Sequence, residues 1–358
     1  MVNATPAQQR VQLAEQRRVV DFDTYDVTVD ELLRRVQRGR IELAPVYQRQ
    51  FRWDLDRQSA LIESVLLGIP VPPLFMATNQ TDDLQNQWEV VDGLQRLMTL
   101  CHFAGDSEMK ESLGVSLGSA DKSLRIQGLD KLTYFNSFAF SEFPEDIKSA
   151  LLDRPMRVVV LNDKSDLQVR YDLFERLNTG GIELTDQEIR ECVFRGEFID
   201  MLVDLAKTEQ FRTVVKLPDR KWKDGTPEEY VLRFFAYSEE YLKFDHLVGE
   251  FLNNFTFRAH RSPEVGRRGQ EFLRVFTFLA ECFPEGIKSR KGQTPVVLFE
   301  ALSVGAALAL QQNPELRPRS AEWAAEDDEL RKLTTGATNS RPRVRKRVEM
   351  CRDRFLGR

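Results

Sequence analysis

Apolar positions fall into short mixed patterns early in the chain and into long helical ones later. Residues 28–37 have the form of a short helix. Thr28 stands where a hydroxyl can cap the first turn, Glu31 follows at the capping-box position, and Leu32, Leu33 and Val36 share a face. Gly39 ends it, and an extended piece, 41–46, leads into Tyr47-Gln48-Arg49. Asp54 or Asp56 opens a second helix with an apolar stripe of Leu61, Ile62, Val65 and Leu66, stopped at Gly68. After the proline-rich connector 69–73, residues 74–77 and 88–91 read as strands joined by a polar loop. Helical spacing returns over 94–103. Residues 156–161 form a strand whose run of valines predicts burial on both faces.

From residue 166 onward the pattern is almost wholly helical. Leu167, Tyr171, Phe174 and Leu177 recur at helical intervals, and Asn178-Thr179-Gly180-Gly181 breaks that helix. Thr185 and Glu188 form another capping box, opening a helix to about residue 195. Amphipathic segments follow at about 197–207, 227–242, 263–283, 294–312 and 320–333, with no internal repeat. The expected class is therefore α+β. A polar lead (1–20), mobile or loosely helical, precedes an α+β domain with a small sheet (21–165). A helical region (166–358) follows and ends in a basic tail (341–358).

Composition narrows the function. With 42% hydrophobic residues and 24 phenylalanines, the chain can build a real core. A net charge of −5 excludes a surface that binds polyanions all over, so any nucleic-acid contact needs a local basic patch. Cysteines 101, 192, 282 and 351 form no CxxC pair and have no histidine at metal spacing. They read as free thiols in a reducing compartment, and no metal residue is assigned. Residues 1–20 lack the apolar stretch of a signal peptide, and the longest apolar run, 295–310, is short and contains Glu300. The expectation is a cytoplasmic protein without a membrane anchor. No Walker loop, HExxH or GxSxG occurs, and His102, His246 and His260 stand in unrelated contexts.

Four constellations carry candidate chemistry. Tyr47-Gln48-Arg49-Gln50-Phe51-Arg52-Trp53 sets two arginines and three aromatics before a helix start. Arginine forks bind phosphate and aromatics stack on bases, while Phe51 and Trp53 could equally plug the core. In Val90-Val91-Asp92-Gly93-Leu94-Gln95-Arg96 a strand turns through glycine straight into a helix, whose first amides and dipole favour an anion. Arg96 is poorly placed there for helix stability and makes better sense facing an external anion. Asp92 can hold a metal, activate water or simply cap the helix. Phe174-Glu175-Arg176-Leu177-Asn178-Thr179-Gly180-Gly181 is a helix end beside a glycine turn, readable as a plain C-cap. The tail carries Arg341, Arg343, Arg345, Lys346, Arg347, Arg352, Arg354 and Arg358. It reads as a polyanion contact or as a solvated helix face with Val344, Val348 and Phe355 inward.

Taken in order, the first three constellations resemble the N-terminal domain of GmrSD-type, modification-dependent restriction systems. The matching stretches are Gln48 to Trp53, Ser64-Val65-Leu66-Leu67-Gly68-Ile69-Pro70-Val71-Pro72, Asp92-Gly93-Leu94-Gln95-Arg96 (DGQQR in relatives), and Phe174 to Gly181 with Leu184-Thr185. The resemblance implies a ParB-like fold with a small mixed sheet, completed by residues 166–195, and a site for a nucleoside triphosphate or DNA phosphate. It gives Asp92, Gln95 and Arg96 catalytic roles, with magnesium as an admissible cofactor. It places phosphate or nucleotide on Tyr47, Gln48, Arg49, Trp53, Gly93, Arg176, Asn178, Thr179 and Gly180. It implies nucleotide hydrolysis coupled to DNA restriction in phage defence, and the basic run of the tail puts DNA on Arg343, Arg345, Lys346 and Arg347. The alternative is a non-catalytic DNA-binding or sensor subunit. Two departures bear on this: Leu94 replaces the first glutamine of DGQQR, and no HNH-type motif is found before Arg358. Cleavage is thus expected of a separate nuclease or defence subunit, or of the ParB-like domain itself.

Overall fold

The computed structural model describes residues 5–16, 21–42, 53–79, 87–110, 123–162, 167–177, 185–288, 292–321, 323–336 and 338–358. The chain divides into two compact units, Met1–Glu183 and Leu184–Arg358.

In the first unit, α1 (Pro6–Gln16) is an exposed helix within the polar lead expected to be mobile or loosely helical. Five strands form one mixed sheet: β1 (Phe22–Thr28), β2 (Ile41–Glu42), β3 (Leu74–Asn79), β4 (Gln87–Asp92) and β5 (Pro155–Leu161), in the order β1-β5-β3-β4-β2. β1 pairs antiparallel with β5, β5 parallel with β3, β3 antiparallel with β4, and β4 parallel with β2. Three helices close over the sheet core. In α2 (Val29–Gln37) the Thr28 hydroxyl caps the Glu31 amide, and Leu32 and Leu33 are buried. In α3 (Leu55–Leu67) Asp54 caps the Arg57 amide, and Leu61, Ile62 and Val65 point inward. α4 (Leu94–Ala104) buries Leu97, Met98, Leu100, Cys101 and Phe103. These side chains meet Met76, Val90, Val158 and Val160 in one cluster. Each fully buried side chain of this size contributes about 1.5–3 kcal/mol of transfer free energy. α5 (Glu145–Leu152) precedes β5, and α6 (Leu167–Leu177) packs against β4.

The valine run of β5 corrects its expectation. Pro155 and Arg157 are exposed and Val159 only half-buried, so the strand alternates toward its start and is closed on both sides only at its end. β1, which the hydrophobic pattern does not suggest, is an edge strand rich in aspartate.

The second unit is helical throughout: α7 (Asp186–Val193), α8 (Glu197–Lys207), α9 (Glu209–Val214), α10 (Thr226–Glu240), α11 (Val248–Ala259), α12 (Val265–Cys282), α13 (Val296–Gln312), α14 (Trp323–Glu326), α15 (Asp328–Thr334) and α16 (Arg341–Phe355). α7 carries the expected capping box: the Thr185 hydroxyl accepts from the Glu188 amide, and the Glu188 carboxylate from the Thr185 amide. The segment expected over 320–333 is two short helices, with Asp327 capping the second. Nearly every side chain of α13 from Phe299 to Leu310 is buried, Glu300 among them. Glu300 takes Arg233 on one oxygen and Arg347 on the other, both at 2.6 Å, and Arg233 continues through Glu229 to Arg190. This alternating ladder ties α7, α10, α13 and α16 together. Among the described residues, no helix is long and apolar enough to cross a membrane.

Candidate functional site

The geometry around Asp92 begins in the strand before it. Phe75 pairs with Asp92 but Met76 with Val90, so Val91 is an extra residue, a bulge at the end of β4. A bulge bends its strand and re-aims the residues beyond it. Here it delivers Asp92 and Gly93 to the start of α4. Gly93 is the N-cap of α4 at φ 95°, ψ 12°, with no side chain to cap the first turn. The first bond of the helix runs from the Leu97 amide to the Gly93 carbonyl, at 2.9 Å. The preceding amides project from the positive end of the helix.

Arg96 folds back over this turn. One guanidinium nitrogen donates to Asp92 Oδ2 at 2.6 Å and another to the Pro72 carbonyl at 3.0 Å. Its side chain is 10% exposed against 38% for that of Asp92. Arg96, read from the sequence as facing an external anion, also has an internal counter-charge. Asp92, four residues earlier, is that counter-charge, and an anion arriving at the turn meets a pair already formed. A Cβ on Gly93 would clash with Leu74 Cδ2 and lie 3.0 Å from Arg96 Nη2. Glycine is therefore needed both for its backbone angle and for the closeness of Arg96.

Gln95 and Trp53 belong to the same neighbourhood. The Trp53 amide donates to Gln95 Oε1 at 3.1 Å, and Gln58 Nε2 donates to the Trp53 carbonyl at 3.0 Å. The Gln58 oxygen lies 3.3 Å from His102 Nδ1. Two glutamines from α3 and α4 thus hold the Trp53 backbone from both sides, and its indole packs on the core. Gln58 is not among the residues that the sequence singles out, and neither the part of the Pro72 carbonyl nor the bulge at Val91 is visible in the motifs that contain them. Only the four-residue spacing of Asp92 and Arg96 could have shown their pairing.

Arg176 lies exposed on the last turn of α6. Tyr47, Gln48, Arg49, Asn178, Thr179 and Gly180 lie outside the described residues. Within the described residues, then, the turn gathers Trp53, Asp92, Gly93, Gln95 and Arg96. No group of three histidine, cysteine or acidic side chains among them could hold a metal. All four cysteines are buried, and burial pushes the Cys101 thiol up to about 12, far from a nucleophile's range.

The tail forms α16, and its cations are engaged. Arg345 pairs with Glu349, Lys346 with Glu329, and Arg343 reaches the Thr335 carbonyl. Arg347 corrects its expectation as a DNA contact. It is 0% exposed, bound to Glu300 and the Thr338 carbonyl, because the helix turns this position inward beside Val344, Val348 and Cys351.

An α+β domain whose mixed sheet ends in a bulged Asp-Gly turn, with an arginine returned over it, is the framework in which the sequence motifs lie. Residues 29–195 match the family model of the GmrSD restriction endonuclease, N-terminal domain. The similarity to that domain lies in this stretch of the chain, and restriction is the role its family stands for. The match runs from α2 through α7. Among curated proteins and among solved structures, none matches the chain.

Proposed function

We propose that the protein binds a nucleoside triphosphate at the Asp92–Arg96 turn and hydrolyses it as the regulatory part of a DNA restriction system in phage defence. The observation that carries this reading is the start of α4. Its cap has no side chain, no capping side chain bonds its first amides, and a carboxylate and an arginine stand at the same turn. In this reading the amides and Arg96 hold phosphate oxygens, and Asp92, released from Arg96 by the incoming anion, orients water. Asp92 is open enough to give magnesium one carboxylate oxygen, the usual protein share for an ion held mainly by phosphates and water. When bound, the ion would screen the phosphate charge. Gln95 keeps Trp53 in place beside the turn. Tyr47, Gln48, Arg49, Arg176, Asn178, Thr179 and Gly180 complete the clamp, as positioned cations do around a transferred phosphoryl group.

A second reading is a sensor that binds nucleotide or DNA without turnover. Two features favour it: Leu94 has no side-chain amide, and the Gln95 side-chain carbonyl is committed to the Trp53 backbone. DNA would then be met by the outward cations of α16, Arg343, Arg345 and Lys346. Phosphate release from GTP, ATP, CTP and UTP with magnesium separates the two readings, measured for wild type, Arg96→Lys and Asp92→Asn with melting curves alongside. Loss of release in both folded variants supports hydrolysis at this turn. Binding without release supports the sensor. Release unchanged in both variants removes the turn from the chemistry.

A further inference from the structure

At the far end of β4, four residues and thus roughly 13 Å from Asp92 by strand rise, a cleft of about 820 Å³ opens beside β1. Tyr25, Trp88 and Thr78 line it, the Tyr25 and Trp88 rings packed together with centroids 5.6 Å apart. The Arg35 guanidinium stacks on the Trp88 ring at 4.3 Å and is held by Glu31 at 2.7 Å. Aromatic faces flanked by carboxylates favour cations, and Arg35 already uses this wall in that way.

The strand that borders the cleft has an unused side. β1 is the last strand of the sheet and, among the described residues, pairs only with β5. The Asn162 amide donates to the Asp21 carbonyl and the Val29 amide to the Arg154 carbonyl. In an antiparallel ladder this alternation turns the main-chain groups of Asp23, Tyr25 and Val27 toward β5, and those of Phe22, Thr24 and Asp26 away from it. Phe22 is 54% and Tyr25 42% exposed on this edge. Residues 21–28, Asp-Phe-Asp-Thr-Tyr-Asp-Val-Thr, hold three carboxylates and no cation. Asp26 is answered by Arg157, but Asp23 has a neutral amide, that of Asn162, on its Oδ2.

We propose that β1 is a docking edge for an extended, basic segment of a partner protein. The segment adds as a sixth strand, and one of its lysine or arginine side chains enters the cleft between Tyr25 and Asp23. Strand addition draws affinity from main-chain hydrogen bonds and specificity from a pocket that takes alternate side chains, and both are present. A second copy of this chain is the disfavoured occupant, because two β1 edges would set carboxylates against carboxylates.

The test uses the full chain with a labelled octapeptide of alternating lysine and valine, and the glutamate–valine peptide as its counterpart. The lysine peptide binds saturably by fluorescence anisotropy at micromolar to millimolar concentrations, and the glutamate peptide does not. It slows hydrogen exchange at the amides of Phe22, Thr24 and Asp26, while Asp23, Tyr25 and Val27, already bonded to β5, change little. Thr24→Pro removes one outward donor without touching the β5 ladder and weakens binding at least tenfold; Asp23→Lys does the same by charge. If Thr24→Pro fails to fold, Asp23→Lys and the alternating exchange pattern decide. Equal binding of both peptides, no saturable binding, or protection without alternation would overturn the proposal. So would self-association that Thr24→Pro abolishes, which would make a second copy the occupant.

Discussion

Replacing Gly93 with alanine isolates what the turn before α4 requires. At φ 95° any L-residue is strained, and a non-glycine residue held in such a region costs about 1–3 kcal/mol. The new methyl also meets the Leu74 side chain and the folded-back Arg96, and forcing a methyl into a filled space adds about 1–3 kcal/mol. Gly39, in the same unit, supplies the control: its φ is 65°, but a Cβ there would meet nothing within 4 Å. Gly39→Ala therefore carries a backbone term without a steric one, and the difference between the two variants reads the steric term together with the extra strain of φ 95° over 65°. For a unit of this size 1 kcal/mol moves the melting temperature by about 2–4 °C, so Gly93→Ala melts about 2–12 °C below Gly39→Ala. Scanning calorimetry on both variants measures this directly. Equal shifts would refute the closeness of Arg96 to Gly93, and with it the geometry given to the site.

Two further outcomes concern the helical unit. Glu300→Gln leaves the wholly buried Arg347 and the mostly buried Arg233 without their shared carboxylate. Breaking a buried pair in this way costs about 3–5 kcal/mol in urea unfolding, and Arg347→Met in the same chain recovers part of it; a loss below about 1 kcal/mol would contradict the ladder. Burial works to raise the pKa of Glu229, but Arg233 and Arg190 outweigh it and hold the carboxyl below its usual 4.5. A depressed carboxylate contributes stability that is present above 4.5 and lost as pH falls through the lowered value. Urea midpoints should accordingly drop in that acid range, and drop less in Arg233→Gln, whereas identical acid limbs would argue against the pairing.

The parts of this fold legible in the sequence are those decided by local chemistry. Thr28, Asp54 and Thr185 announce helix starts because a short side chain on an extended residue can reach the amides of the next turn. β4 and α4 are read from valines, a glycine and a helical stripe. β1 escapes the pattern because two aspartates, Asp23 and Asp26, interrupt its alternation, and an edge strand, with solvent on one side, tolerates them. α11 escapes it because Asn253, Asn254 and Thr256 are weak helix formers, and it is Leu252, Phe255 and Ala259 that hold it by burial. At the site, the residue types and their spacing are visible, but not the partner of each. In sequence Arg96 looks like a cation awaiting an anion, and Arg347 like one of a basic run. Which way a charged side chain faces depends on tertiary neighbours, here Asp92 with Pro72 in one case and Glu300 in the other.

The central claim, that the Asp92–Arg96 turn receives phosphate, is tested most directly by titrating nucleoside triphosphate into wild type and Asp92→Asn, with and without magnesium. Asp92 competes with phosphate for Arg96 and offers magnesium a ligand, so the wild type should bind more tightly when magnesium is present. The variant, with Arg96 freed, should bind at least as tightly as the wild type without the ion and gain little from its addition. No saturable binding by either protein, or the same magnesium dependence in both, would contradict the account.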